Sequence, residues 1–350
     1  MQNYKMHGIF CNFANIKFLR MKLPKIHVSR AGITAGAMVL LMAACSSGNA
    51  RQGDTVTVQD MAAVPPAFDR DSAYSFVEQL MAFGPRVPNT EAHRKSGDWL
   101  SGKLKNFGWK VEEQNAVLTA FDGTPLHARN IMASINPEKS GRLLLLAHWD
   151  CRPWADQDPD PEKRNRPVPG ANDGASGIGV LLEIARQLNL TESGAPVDIL
   201  FVDAEDWGSD NVEDSWALGT RYFTENPPSP GYRPSEAILL DMVGSPDARF
   251  GFEYFSQQSN PSLLQKVWSK AGALGHGKYF HTGFGGAVTD DHVQLISHGI
   301  PAIDIIDYRN SDGYQGFDPV WHTTADDMRN ISRETLGAVG ETVLGEIQDR

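Results

Sequence analysis

The chain has 350 residues, of which 41% are hydrophobic and 21% are charged, and its formal net charge is −11. The composition is that of an ordinary globular protein, and the length suits one large domain or two smaller ones. The acidic balance argues against nucleic acid as a partner. No segment after residue 45 has the roughly 18 consecutive apolar residues of a membrane-spanning helix.

The first 45 residues have the pattern of an export signal. The uncharged run 31–44 (AGITAGAMVLLMAA) follows several basic residues and ends at Cys45, as in a secretory signal peptide. Small residues directly before a cysteine resemble the lipobox of bacterial lipoproteins, in which the cysteine is lipidated and begins the mature chain. Met42 departs from the leucine usual in that pattern, and an ordinary signal peptide with an incidental cysteine is the alternative. A compact signal opens at Met21, so we expect translation to start there.

Cleavage before Cys45 would change the charge of the chain and determine its location. Residues 1–45 contain six Lys and Arg and no Asp or Glu, which leaves 26 basic and 43 acidic residues and a net charge of −17. Residues 46–65 are expected to form a flexible tether. We therefore expect an exported protein that is lipid-anchored through Cys45 and faces the periplasm. The absence of an acidic residue after Cys45 favours the outer membrane of a Gram-negative host.

Residues 66–350 are predicted to form one folded domain that begins with helices. Apolar residues recur at helical spacing in 71–83, and a second helix is predicted over 91–107. Alternating patterns over 111–121 and 128–136 then predict an early pair of strands.

Buried strands alternate with helices in the rest of the chain. The strands are predicted at 142–150, 197–206, 236–243 and 300–307, and the helices at 171–188, 261–274 and 331–347. We expect Asn172 or Asp173 to cap the first of these helices and Ser332 to cap the last. This alternation predicts an α/β fold, with a central, mostly parallel mixed sheet covered by helices on both faces.

Acidic and imidazole side chains stand where the predicted strands end, and ligands of parallel sheets bind at that edge. These residues are His148, Asp150, Glu205, Asp206 and Asp241, with Asp173 at a helix start and His322 after the last strand. Converging buried carboxylates require a cation or protons. Histidine with two or three carboxylates suits zinc well, and iron or manganese less well. Taken singly, each motif is equally explained as a turn or a helix cap.

Six motifs in order carry a family resemblance: HWD, ANDGASG, DAED, LLDMVG, DDH and WHTTAD. The series resembles the co-catalytic zinc aminopeptidases and, more closely, their relatives the glutaminyl cyclases, over roughly residues 70–350. The resemblance implies that the domain is a zinc-dependent glutaminyl-peptide cyclotransferase. Such an enzyme converts the N-terminal glutamine of peptides and proteins to pyroglutamate and releases ammonia.

The resemblance also implies the roles of individual residues. One zinc ion would be held by Asp173, Asp206 and His322, with Glu205 as the general acid and base. Asp241 and Asp290 would form a supporting carboxylate network, and Trp321 would line the substrate pocket. We also expect Trp207 to contact the substrate and to help exclude water. His148 and Asp150 would lie on the second-metal side of the aminopeptidase site, or would support the ligands without binding the metal.

One residue departs from the family pattern, and two other functions remain open. Aminopeptidases and animal cyclases usually have Glu-Glu where this chain has Glu205-Asp206. If His148 and Asp241 also bind metal, two zinc ions would make a di-zinc aminopeptidase that removes N-terminal residues. A catalytically inactive peptide-binding lipoprotein is the remote alternative. We expect peptides with N-terminal glutamine as partners, no nucleic acid and no obligate protein partner.

Overall fold

The computed structural model describes residues 67–311 and 314–350. The predicted leader 1–45, with Met21 and Cys45, and the tether 46–65 lie outside the described residues. Within the described part of the chain, no helix combines the length and the apolar character needed to cross a bilayer.

Eight helices and ten strands are found among the described residues. The helices are α1 (Arg70–Met81), α2 (Glu91–Asn106), α3 (Ala175–Leu190), α4 (Leu218–Glu225), α5 (Tyr254–Ser259), α6 (Pro261–Ala273), α7 (Asp291–Ser297) and α8 (Arg333–Gln348). The strands are β1 (Lys110–Thr119), β2 (Pro125–Ile135), β3 (Leu143–His148), β4 (Val197–Val202), β5 (Glu236–Asp241), β6 (Phe250–Glu253), β7 (Phe280–Gly286), β8 (Ala302–Ile306), β9 (Arg309–Ser311) and β10 (Tyr314–Gly316).

A six-stranded sheet in the order β1-β2-β4-β3-β5-β8 forms the centre. The four strands β4, β3, β5 and β8 are parallel, whereas β1 and β2 pair antiparallel and β2 joins β4 antiparallel. Two small sheets, parallel β6-β7 and antiparallel β9-β10, lie outside it. The predicted mixed α/β fold is confirmed, including the early strand pair.

Helices cover both faces of this sheet, as the continuous apolar runs predicted. All six residues of β3 are buried. Leu143 and Leu145 belong to a core with residues of α1, α3 and α8, whereas Leu144 and Leu146 pack with Phe223 of α4 and residues of α7. Successive side chains of a strand point to opposite faces, so the run LLLLAH fills both cores.

Side-chain caps set where several helices begin. The Asp69 carboxylate accepts the N–H groups of Asp71 and Ser72 at the start of α1, and the Ser332 hydroxyl accepts that of Thr335 at the start of α8. Each cap satisfies N–H groups that have no partner inside the helix. The predicted cap at Ser332 is therefore confirmed.

The start of α3 corrects a prediction. We expected Asn172 or Asp173 to cap this helix, but its N-cap is Gly174 and no side chain caps it. The Asn172 Oδ1 atom instead accepts the N–H of Gly244 at 2.7 Å, and the Asp173 carboxylate lies beside His148. Asp173 is therefore directed toward the site rather than toward its own helix.

Candidate active site

The site lies at the carboxyl edge of the parallel strands, where the sequence predicted it. His148 ends β3, Asp241 ends β5, and Glu205 and Asp206 follow β4 by three and four residues. These four side chains are buried, although each is ionisable. Chain direction in a parallel sheet brings these strand ends to one edge.

Three residues form the first group of potential metal ligands: Asp173, Asp206 and His322. The His322 Nε2 atom lies 3.3 Å from Asp206 Oδ1 and 3.6 Å from Asp173 Oδ2. Each side chain is buried, and Asp206 Oδ2 has no hydrogen-bond partner among the described residues. The sequence placed all three in a metal site, and the fold brings their ligand atoms together.

A second group shares Asp173 with the first. His148 Nε2 lies 2.9 Å from Asp173 Oδ1 and 3.2 Å from Asp241 Oδ1. The two oxygens of Asp173 therefore face different histidines, one on each side. This is the arrangement of a carboxylate that is able to bridge two cations.

Asp150 lies on the His148 side of the site and supports the backbone beside the candidate ligand Asp206. Its two carboxylate oxygens accept the backbone N–H groups of Glu205 at 3.1 Å and of Asp206 at 3.2 Å. It is fully buried and lies 3.5 Å from His148 Nδ1. Asp150 therefore holds the backbone of the Glu205-Asp206 pair against the end of β3.

A glycine permits the close approach of α3 to His148. A Cβ atom on Gly174 would lie 2.5 Å from His148 Nε2 and would also collide with the His148 carbonyl oxygen. Any larger side chain would push the imidazole out of the site. The glycine of the ANDGASG motif thus has a local steric function beside the ligand Asp173.

The predicted aromatic residues lie on different sides of the site. The Trp321 ring stacks on His322 with 3.6 Å between ring centroids and also contacts Phe317 at 4.5 Å. Trp207 instead packs edge-on against Trp154, and its indole N–H lies 3.4 Å from an Asp122 carboxylate oxygen. Only Trp321 of the predicted pair is in direct contact with a candidate metal ligand.

Burial makes the carboxylates of the site hard to ionise in the metal-free chain. It raises the pKa of Glu205 well above its usual range, and the neighbouring carboxylates of Asp206 and Asp290 add to the effect. Burial likewise raises the pKa of Asp241 to about 6 and that of Asp290 to about 7. A cluster of this kind holds protons or a cation, because several adjacent negative charges are not stable in a low-dielectric site.

A family model and solved structures match this chain. The model of peptidase family M28 matches residues 130–347, which is more than half of the chain. The chain belongs to peptidase family M28. The glutaminyl cyclase of Porphyromonas gingivalis is 50% identical over 81% of this chain and 98% of its own, with a TM-score of 0.79. This M28 protein therefore belongs with the glutaminyl cyclases of the family, and it shares their fold.

Two further relatives show the range of the family. A structure from Parabacteroides distasonis, described as a Zn-dependent exopeptidase, is 52% identical over 82% of this chain and all of its own, with a TM-score of 0.79. The bovine glutaminyl-peptide cyclotransferase is 26% identical over 65% of this chain and 67% of its own length. Both a cyclotransferase and an exopeptidase are thus named among the proteins of similar sequence.

The first ligand group of this M28 protein fits zinc. Zinc–nitrogen and zinc–oxygen bonds of about 2.0–2.2 Å place the ligand atoms of a tetrahedral site about 3.3–3.6 Å apart. The separations from His322 Nε2 to Asp206 and Asp173, 3.3 and 3.6 Å, agree with this value. Three protein ligands and one open position are typical of catalytic zinc. The residues present therefore suit a zinc ion.

Sequence reasoning did not single out three residues at this site: Arg152, Asp156 and Asp291. Arg152 Nη1 lies 3.2 Å from the Asp206 carbonyl oxygen and 3.4 Å from Asp206 Oδ1. Asp156 lies beside His322. Burial raises the pKa of Asp291 to about 8, and the neighbouring carboxylate of Asp290 adds to the effect. Asp291 lies in the DDH motif, whereas Arg152 and Asp156 lie in the loop after the HWD motif. Their contacts depend on loop paths that no periodicity reveals.

Proposed function

We propose that this chain is a zinc-dependent glutaminyl-peptide cyclotransferase. The observation that carries the proposal is the match to a bacterial glutaminyl cyclase at 50% identity over nearly all of that protein. The grouping of Asp173, Asp206 and His322 beside Glu205 supports it, because these residues are able to hold a metal ion next to a buried acid. Peptides and proteins with an N-terminal glutamine would be the substrates.

The reaction closes the glutamine residue on itself. The α-amine attacks the side-chain amide carbon, a C–N bond forms within the ring, and the C–N bond to the amide nitrogen breaks to release ammonia. The nucleophile is already tethered to the carbon that it attacks, so little entropy is lost on the way to the transition state. A zinc ion, when bound, supplies Lewis-acid polarisation of the amide carbonyl.

Side chains of the protein would transfer the protons of the reaction. Glu205 would take a proton from the attacking amine and return it to the departing nitrogen, as one group acting as base and then acid. The Asp150 carboxylate accepts a hydrogen bond from the backbone N–H of Glu205. This bond holds Glu205 in place just beyond the end of β4. Asp241 and Asp290 would share protons with Glu205, since all three are buried together.

Mass spectrometry of a glutamine-initiated peptide tests the proposal. We expect the purified full-length protein to leave the peptide whole and to reduce its mass by one ammonia, and a zinc chelator to abolish the reaction. Glu205→Gln should lower kcat by about 10²–10⁴-fold, the range of general acid–base catalysis, with zinc still bound. If Glu205→Gln is as active as the parent, or if no ammonia is lost, the proposal is wrong.

A di-zinc aminopeptidase is the second candidate, and one observation favours it. His148, Asp173 and Asp241 form a second potential ligand group that shares Asp173 with the first. In the same experiment an aminopeptidase would release the first residue of the peptide, and metal analysis would give two zinc ions per chain. One zinc ion and an intact peptide would exclude it.

We further propose that the chain is exported and lipid-anchored at Cys45, with the outer membrane favoured. The leader and the residues around Cys45 support this proposal. Expression in a Gram-negative host followed by membrane fractionation tests it, with Cys45→Ser as the control. The parent should be found with the outer membrane and Cys45→Ser in the soluble periplasmic fraction. Recovery of both in the same fraction would contradict it.

A further inference from the structure

We propose that Asp156 is a positioning residue that holds the imidazole of His322 in the tautomer with a proton on Nδ1, leaving Nε2 for zinc. Arg152 in turn holds Asp156. The inference rests on the zinc site of the proposed function, and it does not depend on which reaction the site catalyses.

The two ring nitrogens of His322 face different surroundings. Nε2 faces the candidate ligands Asp206 and Asp173, at 3.3 and 3.6 Å. Nδ1 faces the opposite way, toward Asp156 Oδ1 at 3.5 Å, and has no hydrogen-bond partner among the described residues. His322 is buried, so water does not offer an easy substitute. A small movement of the carboxylate would bring it within the roughly 2.7–3.2 Å of a hydrogen bond to Nδ1–H.

The chemistry of metal-bound histidine explains why this carboxylate matters. A neutral imidazole carries one N–H, and the partner of the other nitrogen decides which nitrogen is free to bind a metal. A carboxylate that accepts the outer N–H fixes both the tautomer and the ring orientation. Asp156 is the acidic side chain that faces the outer nitrogen of His322 in the described structure.

Arg152 immobilises Asp156, whose side chain is 38% exposed and would otherwise be free to rotate. Its Nε atom donates to Asp156 Oδ1 at 2.8 Å, and its Nη2 atom donates to Oδ2 at 2.9 Å. This two-point geometry is the strongest that arginine makes with a carboxylate. The guanidinium carbon also lies 5.1 Å from the centroid of the Trp154 ring and 4.9 Å from that of Trp216. These cation–π contacts further restrict the guanidinium.

A purely structural role for Asp156 is the competing explanation. The same loop is joined to the His322 loop by a hydrogen bond from the Gln157 N–H to the His322 carbonyl, at 3.1 Å. Asp158 Oδ2 also accepts the N–H and the hydroxyl of Thr324, at 2.9 and 2.6 Å. Asp158 therefore fastens the same two loops without facing the imidazole. It is a matched control two residues away.

Zinc affinity, measured without substrate, tests the proposal. The full-length parent, Asp156→Ala, Asp156→Asn and Asp158→Ala would each be titrated against a chelator of known affinity. We expect Asp156→Ala to bind zinc about 10–100-fold more weakly, as for other carboxylates that orient metal-bound histidines. Asp156→Asn should be affected less, because its amide oxygen is still able to accept the Nδ1 proton. Asp158→Ala should lower the melting temperature and leave zinc affinity within about 3-fold of the parent.

A spectroscopic measurement separates orientation from folding. In the zinc-loaded parent, ¹⁵N NMR of the imidazole should show His322 protonated at Nδ1, with its signal assigned from a His322→Gln sample. Asp156→Ala should broaden or shift this signal, whereas Asp158→Ala should keep it. The proposal is overturned if Asp156→Ala binds zinc like the parent, or if Asp158→Ala weakens binding equally. A zinc-loaded parent protein that does not cyclise a glutamine peptide would instead count against the proposed reaction, whatever the zinc affinities of the variants.

Discussion

Several residues in or beside the site have a left-handed backbone conformation, which residues other than glycine rarely adopt. Ala204, Met242 and His322 have φ values of 53°, 48° and 53°. Such left-handed positions cost free energy for residues other than glycine and are concentrated at functional sites. Here they occur just before Glu205, just after Asp241 and at the ligand His322 itself. The turns therefore direct the side chains at the strand ends into one pocket.

Trp321 and Trp207 provide a prediction at the scale of the residue. Trp321 stacks on His322, whereas Trp207 contacts Trp154 and Asp122. We expect Trp321→Ala to raise the KM for a glutamine peptide roughly 10-fold, which corresponds to about 1.4 kcal/mol of lost contact. Trp207→Ala should raise KM less. Steady-state kinetics with zinc-saturated protein would check this, and an equal or larger effect at Trp207 would contradict it.

At the scale of the element, α3 connects the site to the sheet. The helix begins beside Asp173, and its buried face packs on α1, α8 and the central strands. Gly177 is one turn into the helix, where an added Cβ would collide with the Leu240 carbonyl oxygen and lie 2.9 Å from Ala147 Cβ. The glycine therefore allows α3 to approach β3 and β5 closely, which fixes the distance of Asp173 from both strand ends.

Two glycine-to-alanine substitutions in helices should have opposite effects. Gly177→Ala should lower the free energy of unfolding by about 1–3 kcal/mol, because the added methyl group overpacks the contact with β5. Gly102→Ala in α2 should raise it by about 0.5–1 kcal/mol, because no atom beyond the adjacent helix backbone lies within 4 Å of the new Cβ and the unfolded chain loses freedom. Urea unfolding with zinc present would measure both. Stabilisation by Gly177→Ala would show that α3 does not pack as described.

On the scale of the whole molecule, the buried acids link metal binding to folding. Asp173, Asp206, Glu205, Asp241 and Asp290 all lie within the folded edge of the sheet. The unfolded chain does not hold these groups together, so a cation that binds them stabilises only the folded state. Removal of the metal should therefore destabilise the entire domain rather than one loop.

Chelation should lower the melting temperature of the protein. At a free zinc concentration 100 times Kd, binding adds about 2.7 kcal/mol to stability, which amounts to roughly 5–10 °C for a domain of this size. Calorimetry before and after dialysis against a chelator would measure the change, and added zinc should restore it. Asp173→Asn is the control, since its melting temperature should hardly respond to zinc. If zinc raised the melting temperature of Asp173→Asn as much as that of the parent, the stabilising zinc ion would not be bound at Asp173.

Sequence patterns alone were enough to predict the kind of fold and the edge of the sheet at which the site lies. Apolar runs such as 142–150 identify buried strands because a strand covered on both faces must be apolar on both. Polar residues directly after such runs then mark the ligand-binding edge of a parallel sheet. His148, Glu205, Asp206 and Asp241 were recognisable for this reason, and the order of motifs added Asp173 and His322.

Which side chains face one another depends on how the distant segments of the chain pack together. Asp173 has the sequence pattern of a helix cap, and its contact with His148 follows from the packing of α3 against β3. Asp156 and Arg152 lie in a long loop without periodicity, and they meet His322 and Asp206 through contacts between chain segments far apart in sequence. Local patterns report burial and backbone geometry, but a contact between distant loops depends on the whole fold. The residues that orient the ligands were therefore visible only in three dimensions.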